Sequence, residues 1–431
     1  MRLNLRPIVS LLIGVALLLA GNGLHLTLVP LRGVAEAFSP VALGLIGSAY
    51  FVGFVTGCLL GPYVVLRAGH IRAFTAMVAI AASVALAYAL APAPVAWAVF
   101  RAITGFCFAV LYLVIESWLN DHATNATRGL VMSAYTVVNF GAIALGQMLV
   151  TLYPVQQASN FIVSAMLLSL ASVPVALTRS AQPAPIALVS FRPVQLFHAA
   201  PVALMASFML GVANGAFWTL APVFVTAGDL GVERAAQFMT GAVLAGALVQ
   251  WPVGHLSDRL DRRLVLLVLL VGAMATSFAL WLLPASGSML LALGAAFGAL
   301  ALPGYSLAAA HAYDKTPAGD AVATAATILL AFGLGSAAGP ALASLLMARR
   351  GPAALFLFTA LVQGLLAAYV LYRTRVQATL EPGRKTEFDL GATASVGGVI
   401  THELPDPHDP SVAVPDGYAG HAAGRGAEGG R

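Results

Sequence analysis

A chain of 431 residues that is 60% hydrophobic and only 9% charged cannot be built from soluble domains, in which about a quarter of residues carry charge. It reads as a polytopic membrane protein. The net charge of +5 is small and its cations are scattered along the chain, which excludes the clustered basic footprint of a nucleic-acid binder.

The first apolar run lies in "MRLNLRPIVSLLIGVALLLAGNG". Two arginines before an apolar stretch imitate a secretory signal. More apolar runs follow at short spacing, so this one reads as a retained first helix. An apolar helix needs roughly 20 residues to cross the hydrocarbon core. By that measure there are twelve predicted spans, at 8–31, 40–64, 73–91, 93–118, 128–152, 158–178, 201–226, 233–257, 262–283, 287–312, 318–346 and 352–373. Several contain Gly or Pro, which membrane helices tolerate because neighbours satisfy the freed backbone groups. Cys58 and Cys107 stand in apolar runs without metal or disulfide spacing, and read as packing residues. No metal site and no cofactor is expected.

Loop cations set the orientation. With the N-terminus inside, 13 cations fall on inner segments (Arg2, Arg6, Arg67, Arg72, Arg128, Arg179, Arg192, Arg259, Arg262, Arg263, Lys315, Arg373, Arg375) and 4 on outer ones (Arg32, Arg234, Arg349, Arg350). Both termini are therefore expected in the cytoplasm. The sequon "NAT" at 125–127 then lies inside and is discounted as a glycan acceptor.

The chain also repeats. Pro30 matches Pro222 at 192 residues, Gly61 matches Gly254 at 193, and "NFGAIALGQ" at 139–147 matches "AFGLGSAAGP" at 331–340. One period holds six helices, and an even number makes the two copies parallel. The expected organisation is a six-helix bundle at 1–178, a cytoplasmic linker at 179–200, a second bundle at 201–375 and a tail at 376–431. The linker is half apolar and is expected along the inner membrane surface. The tail holds eight of the 17 acids, is rich in Gly, Pro and Ala, and is expected to be disordered.

The strongest local motif is "GHLSDRLDRR", Gly254–Arg263, between the eighth and ninth spans. Asp258 beside Arg259, Arg262 and Arg263 forms a charge cluster at a helix end. It either anchors the inner surface or holds the inner ends of helices together as a releasable gate. Within the fourth span, "RAITGFCFAVLYLVIES" opens with Arg101 and closes near Glu116. Fifteen residues separate the two, roughly 22 Å along a helix, so they do not pair. They lie about 60° apart in azimuth, on one broad face. Intramembrane ions usually face a cavity or a protein partner. Arg101 stays charged at any working pH, and either serves transport or holds a structural partner. Glu116 is either a gate residue near the inner end or a proton carrier.

The decapeptide resembles the loop signature of the major facilitator superfamily: Gly254, Asp258, Arg259, Arg262 and Arg263 match, with Asp261 where glycine is usual. The first-half copy "GPYVVLRAGHIR" is degenerate; Gly61, Arg67, Gly69 and Arg72 match, but Val65 occupies the Asp position. Arg101 and Gly105 match the fourth-helix Arg-x-x-x-Gly of many members. The runs "LYLVIES", "GQMLV", "VQWPVGHLSDR" and "AHAYDK" are similar to a bacterial subfamily of poorly characterised facilitators. The fifth-helix Gly-Pro of drug–proton antiporters is absent, with Gln147 in the proline position.

The resemblance implies an all-α integral membrane fold of twelve transmembrane helices in two six-helix pseudo-symmetric bundles. It implies that the first, fourth, seventh and tenth spans line a cavity, which makes Asn22, His25, Tyr112, Asn214, Trp218 and Tyr305 cavity candidates. The expected function is secondary active transport of a small solute across the bacterial inner membrane by alternating access, by a monomer and with proton coupling as an option. The acids of the second half before the tail, Asp229, Glu233, Asp258, Asp261, Asp314 and Asp320, lie in loops or at the ends of predicted spans, so coupling would depend on the first half. The alternatives are a transport-dead receptor or scaffold on the same fold, and a membrane-embedded enzyme. No HExxH, GxSxG or Walker pattern supports the last.

Overall fold

The computed structural model describes residues 5–123, 127–177, 190–228, 230–283, 287–376 and 388. Among these, the regular elements are fourteen α-helices and one short 3-10 turn. The first half holds α1 (Leu5–Ala35), α2 (Pro40–Ala68), α3 (His70–Leu90), α4 (Pro94–His122), α5 (Arg128–Leu149) and α6 (Ser159–Ala176). A short α7 (Pro193–Ala199) precedes α8 (Pro201–Ala227), α9 (Gly231–Arg259) and α10 (Arg262–Leu282). The chain then runs through α11 (Gly287–Ala301), α12 (Gly304–Tyr313), α13 (Ala321–Arg350) and α14 (Ala354–Val376).

Eleven helical stretches are long and apolar enough to cross a membrane. They correspond to every predicted span except the eighth. That segment is α9, 29 residues long, but it falls short on apolarity because Glu233, Arg234, Gln237, Gln250, His255, Asp258 and Arg259 all lie on it. Part of this polarity is used inside the protein: Gln250 Nε2 donates to Ser306 Oγ at 2.7 Å, and Thr240 Oγ1 donates to Ala144 O at 3.2 Å. The tenth predicted span is broken at Leu302–Pro303 into α11 and α12, since proline supplies no helical N–H and its ring crowds the preceding turn.

The sequence repeat reappears in the packing. In the first half α1 packs on α5 and α6, α2 on α4, and α3 on α4 and α6. In the second half α8 packs on α13 and α14, α9 on α11, and α10 on α11, α12 and α14. The halves meet through α2 against α13 and α5 against α9. Some close backbone approaches repeat as well. A Cβ at Gly23 would strike Ile143 O, and one at Gly215 would strike Ser336 O. Likewise Gly105 faces Tyr50 O and Gly298 faces Ala242 O. Each of these positions is related to its counterpart by 192 or 193 residues. Small residues at such crossings let membrane helices approach closely.

The apolar core divides along the helix axes. At the end where α1 turns into α2, one cluster joins both halves, with Leu28, Trp97 and Phe161 in the same core as Phe217, Phe238 and Phe356. At the other end the halves have separate cores. Val15, Phe74, Phe108 and Leu168 pack within the first half, while Leu210, Leu266 and Val370, and a smaller group around Leu196 and Ile328, pack within the second. We call these the joined end and the split end.

The predicted linker 179–200 is described from residue 190 onward. Its α7 packs on α8 and α13 with Leu196 buried. Arg192 Nη1 meets Asp320 Oδ1 at 2.8 Å, so this part of the linker is tied to the helices rather than only lying along a surface. The first four residues and the predicted tail lie outside the described residues, apart from Val376 and Phe388. Phe388 is buried, and its ring occupies the space that a Cβ at Gly254 would need.

Candidate functional site

Four helices each carry buried polar residues at one level along the chain, between residues of the joined core and of the split cores. On α1, Asn22 and His25 lie near the level where Leu19 of the split core gives way to Leu24 of the joined core. On α2, Tyr50 lies between Ile46 and Val65; on α4, Arg101 lies between Trp97 and Cys107; on α8, Asn214 lies between Leu210 and Ala216. This polar waist is where a bundle open at one end would have its apex. Asn22 and Asn214 are related by 192 residues, so the repeat places one amide on each side.

Arg101 is only 3% exposed. Its guanidinium carbon lies 4.8 Å from the centroid of the Tyr50 ring, a cation–π arrangement. Its Nε and Nη1 have no hydrogen-bond partner. Among the described residues, no carboxylate pairs with it. The Asn22 side chain reaches the Tyr50 hydroxyl but leaves its Oδ1 unpartnered, as does Asn214. Both ring nitrogens of His25 also lack a partner; the ring packs edge-on against Tyr88, centroids 4.8 Å apart. Buried polar atoms are normally paired, so this concentration of vacant donors and acceptors marks the waist as a site.

Glu116 is 1% exposed and sits further toward the split end. Tyr135 donates its hydroxyl to Glu116 Oε1 at 3.5 Å, a weak bond. Among the described residues the carboxylate meets a tyrosine rather than a loop arginine. The carboxylate also bears electrostatically on Cys58, Tyr112 and Tyr305. Tyr112 and Tyr305 are again 193 residues apart. Tyr305 stacks edge-on with Phe332, centroids 4.8 Å apart. Trp218 belongs elsewhere: it packs against the joined core beyond the waist.

The gate motif is built around Arg262. Its Nε donates to Asp314 Oδ2 at 2.8 Å with both side chains almost fully buried, while Asp258 Oδ1 is 3.2 Å from Nη2 and 28% exposed. Nη1 donates to Ser257 Oγ at 2.9 Å. Sequence reasoning centred the cluster on Asp258 and missed Asp314, which lies 52 residues from Arg262. The quoted run "AHAYDK" contained it. Arg259 is exposed. Asp261 explains its own departure from glycine: it caps α10, accepting from Arg263 N at 2.9 Å, and its carboxylate pairs with the Arg263 side chain at 2.8 Å. An N-cap carboxylate of this kind satisfies an orphan helix N–H.

In the first half, Gly61 approaches Val110, and Arg67 and Arg72 are exposed. Gly69 has φ of 80°, a backbone state that favours glycine, and makes the one-residue link between α2 and α3. The counterpart of the Arg262–Asp314 pair is His70 and Asp121, at offsets of 192 and 193. Asp121 bears electrostatically on His70, and His70 Nε2 lies 3.0 Å from Ser117 Oγ.

Comparison with known proteins agrees with this geometry. The profile described as Major Facilitator Superfamily matches residues 11–328 and 203–407. An uncharacterised MFS-type transporter, YcaD of Escherichia fergusonii, is 27% identical over 87% of this chain and 98% of its own. YcaD of an Escherichia coli strain is 30% identical over 83% of this chain and 93% of its own. Among solved structures, the nucleoside transporter NupG is similar with TM-score 0.71 at 15% identity, covering 85% of this chain and 98% of that one. A bacterial homologue of the human lysosomal transporter Spinster, in an inward-facing and occupied conformation, has TM-score 0.69 at 14% identity, covering 88% and 97%. FucP in an outward conformation has TM-score 0.53 at 14% identity, covering 86% and 99%. The chain belongs to the Major Facilitator Superfamily of membrane transporters.

Proposed function

We propose that the chain is a secondary transporter of the bacterial cytoplasmic membrane that moves a small solute by alternating access. Its working unit is two six-helix bundles, 1–178 and 201–375, with α9 as the eighth of twelve spans and both termini in the cytoplasm. The observation that carries this reading is the polar waist, held between one core shared by both halves and separate cores beyond it. In the inside-N orientation the split end faces the cytoplasm, so the arrangement corresponds to an inward-open state. The greater likeness to the inward-facing Spinster homologue than to outward FucP accords with it.

Rocking the bundles about the waist would separate the joined core and close the split end, exposing the same residues to the other side. The Arg262–Asp314 and His70–Asp121 groups sit at the split end of each bundle, where they fix helix ends against one another. Glu116, buried between the waist and that end, is positioned to carry a proton or to gate passage. Arg101 serves the waist itself.

The test uses purified protein in liposomes loaded with a pool of bacterial small metabolites. A defined solute class should exchange across the membrane with protein and not without it. Folded, inserted protein that exchanges no solute in either direction would overturn the proposal.

A further inference from the structure

Building on the transport reading, we infer that the waist takes a small organic monoanion: a carboxylate whose body carries hydroxyl or N–H donors. A guanidinium taken out of water is costly unless a counter-charge or dense hydrogen bonding replaces its hydration. Arg101 is 3% exposed, and the Tyr50 face covers one side of it. A ring satisfies the cation from above; it does nothing for the in-plane donors. Nε and Nη1 point at no acceptor.

Among the described residues, no acid forms an ion pair with Arg101. Helices α1, α2 and α8 contain no acid at all. The acids of α4 are Glu116 and Asp121, the nearer about 22 Å along the helix from Arg101. One fixed cation without a counter-charge among the described residues is matched by one negative charge on a solute. A planar carboxylate suits the guanidinium plane, which recognises such groups by paired hydrogen bonds.

The remaining vacancies define the rest of the solute. Asn22 Oδ1 and Asn214 Oδ1 are acceptors without donors, one from each half, and are served by hydroxyl or N–H groups. His25, with both ring nitrogens vacant, adds one donor and one acceptor when neutral. A purely apolar acid would leave these atoms unpaired, which a buried site penalises. A solute gripped by Arg101 and Asn22 on one side and Asn214 on the other would also tie the two halves together.

The test compares short hydroxycarboxylates, their uncharged amides, the corresponding unsubstituted acids and quaternary ammonium ions, by thermal shift of the wild-type protein and by uptake into proteoliposomes. The hydroxy acids should stabilise the protein, and their amides should bind at least about tenfold more weakly, the cost of one charged hydrogen bond. Arg101→Lys should weaken binding of the acid while leaving the protein monodisperse. Equal binding of acid and amide, or a solute without negative charge transported equally well by wild type and Arg101→Lys, overturns the assignment of class and leaves transport standing. Acid binding without exchange across the membrane upholds the class and overturns the transport reading instead.

Discussion

Arg262 and Asp314 form a bidentate pair, Nε to Oδ2 at 2.8 Å and Nη2 to Oδ1 at 3.4 Å, that ties the start of α10 to the end of α12. Both side chains are nearly inaccessible, at 1% and 2%. Leaving one member of a buried pair wholly uncompensated costs about 3–5 kcal/mol; Asp258 and Ser257 still meet Arg262, which keeps the loss below that range. Asp314→Asn is therefore expected to lower the unfolding temperature of the purified protein markedly. Asp258→Asn acts at a more exposed contact and should cost about 1 kcal/mol or less. Its effect belongs to turnover, with binding affinity nearly unchanged. Equal thermal losses in the two variants would show that Asp314 is not the dominant partner.

Gly105 and Gly298 occupy equivalent crossings, against Tyr50 O and Ala242 O. Neither carbonyl belongs to a flexible side chain, so the helices themselves must separate to admit a methyl. Gly105→Ala and Gly298→Ala should each destabilise by about 1–3 kcal/mol, the usual range for overpacking. Gly141, which has open space beside it, is the control, and Gly141→Ala should be neutral or slightly stabilising. Thermal melts in detergent measure all three. A neutral Gly105→Ala would mean that the α2–α4 crossing is looser than the geometry requires.

Phe388 carries a prediction about the tail. Its backbone N–H donates to Asp258 Oδ2 at 3.3 Å, and its ring fills the notch at Gly254. Composition offers no hint of this, because Phe388 and Tyr418, thirty residues apart among Gly, Pro and acids, make no apolar period. Phe388→Ala should uncover the notch and speed labelling of a cysteine introduced at Ser257, which is buried and bonded to Gly254 O. Truncation at residue 380 should do the same, and both variants should still insert. Unchanged labelling would place Phe388 off the motif in the membrane.

The spans were legible because a bilayer demands long apolar runs, and the repeat because Pro30 and Pro222, or Gly61 and Gly254, keep one offset. The span at 233–257 was read from its length and spacing, while the apolarity of α9 is diluted by residues such as Gln250 that are satisfied within the protein. The break at Pro303 was hidden inside a continuous apolar run. Arg101 and Glu116 announced themselves as charges in the wrong place. Their surroundings did not, since Tyr50 and Tyr135 lie on other helices and look like ordinary aromatic packing in sequence. Asp314 was visible only as a helix-end acid, because its partner is set by tertiary packing.

Orientation rests on the 13-to-4 distribution of cations. Reporter fusions after Arg375 and within 179–200 should both signal the cytoplasmic side. Opposite signals from the two sites would break the even count of spans between them and remove α9 from the membrane.

Glu116 and Arg101 should fail in different ways when altered. Glu116 meets the Tyr135 hydroxyl and, among the described residues, pairs with no cation, so none of these contacts requires a permanent negative charge. Glu116→Gln mimics the protonated acid and keeps the contact with Tyr135, so the protein should fold and bind solute. If Glu116 carries the coupling proton, this variant should lose uphill accumulation driven by a proton gradient but keep exchange of solute down its own gradient. If it gates, both modes should slow together. Arg101→Lys keeps a charge but loses the planar fork of donors, so it should weaken solute binding in both modes without uncoupling them. Proteoliposome assays of accumulation and of exchange, run on both variants, separate these outcomes. Normal accumulation in Glu116→Gln would remove Glu116 from the mechanism and leave His25, whose two ring nitrogens are buried without a hydrogen-bond partner, as the next first-half candidate.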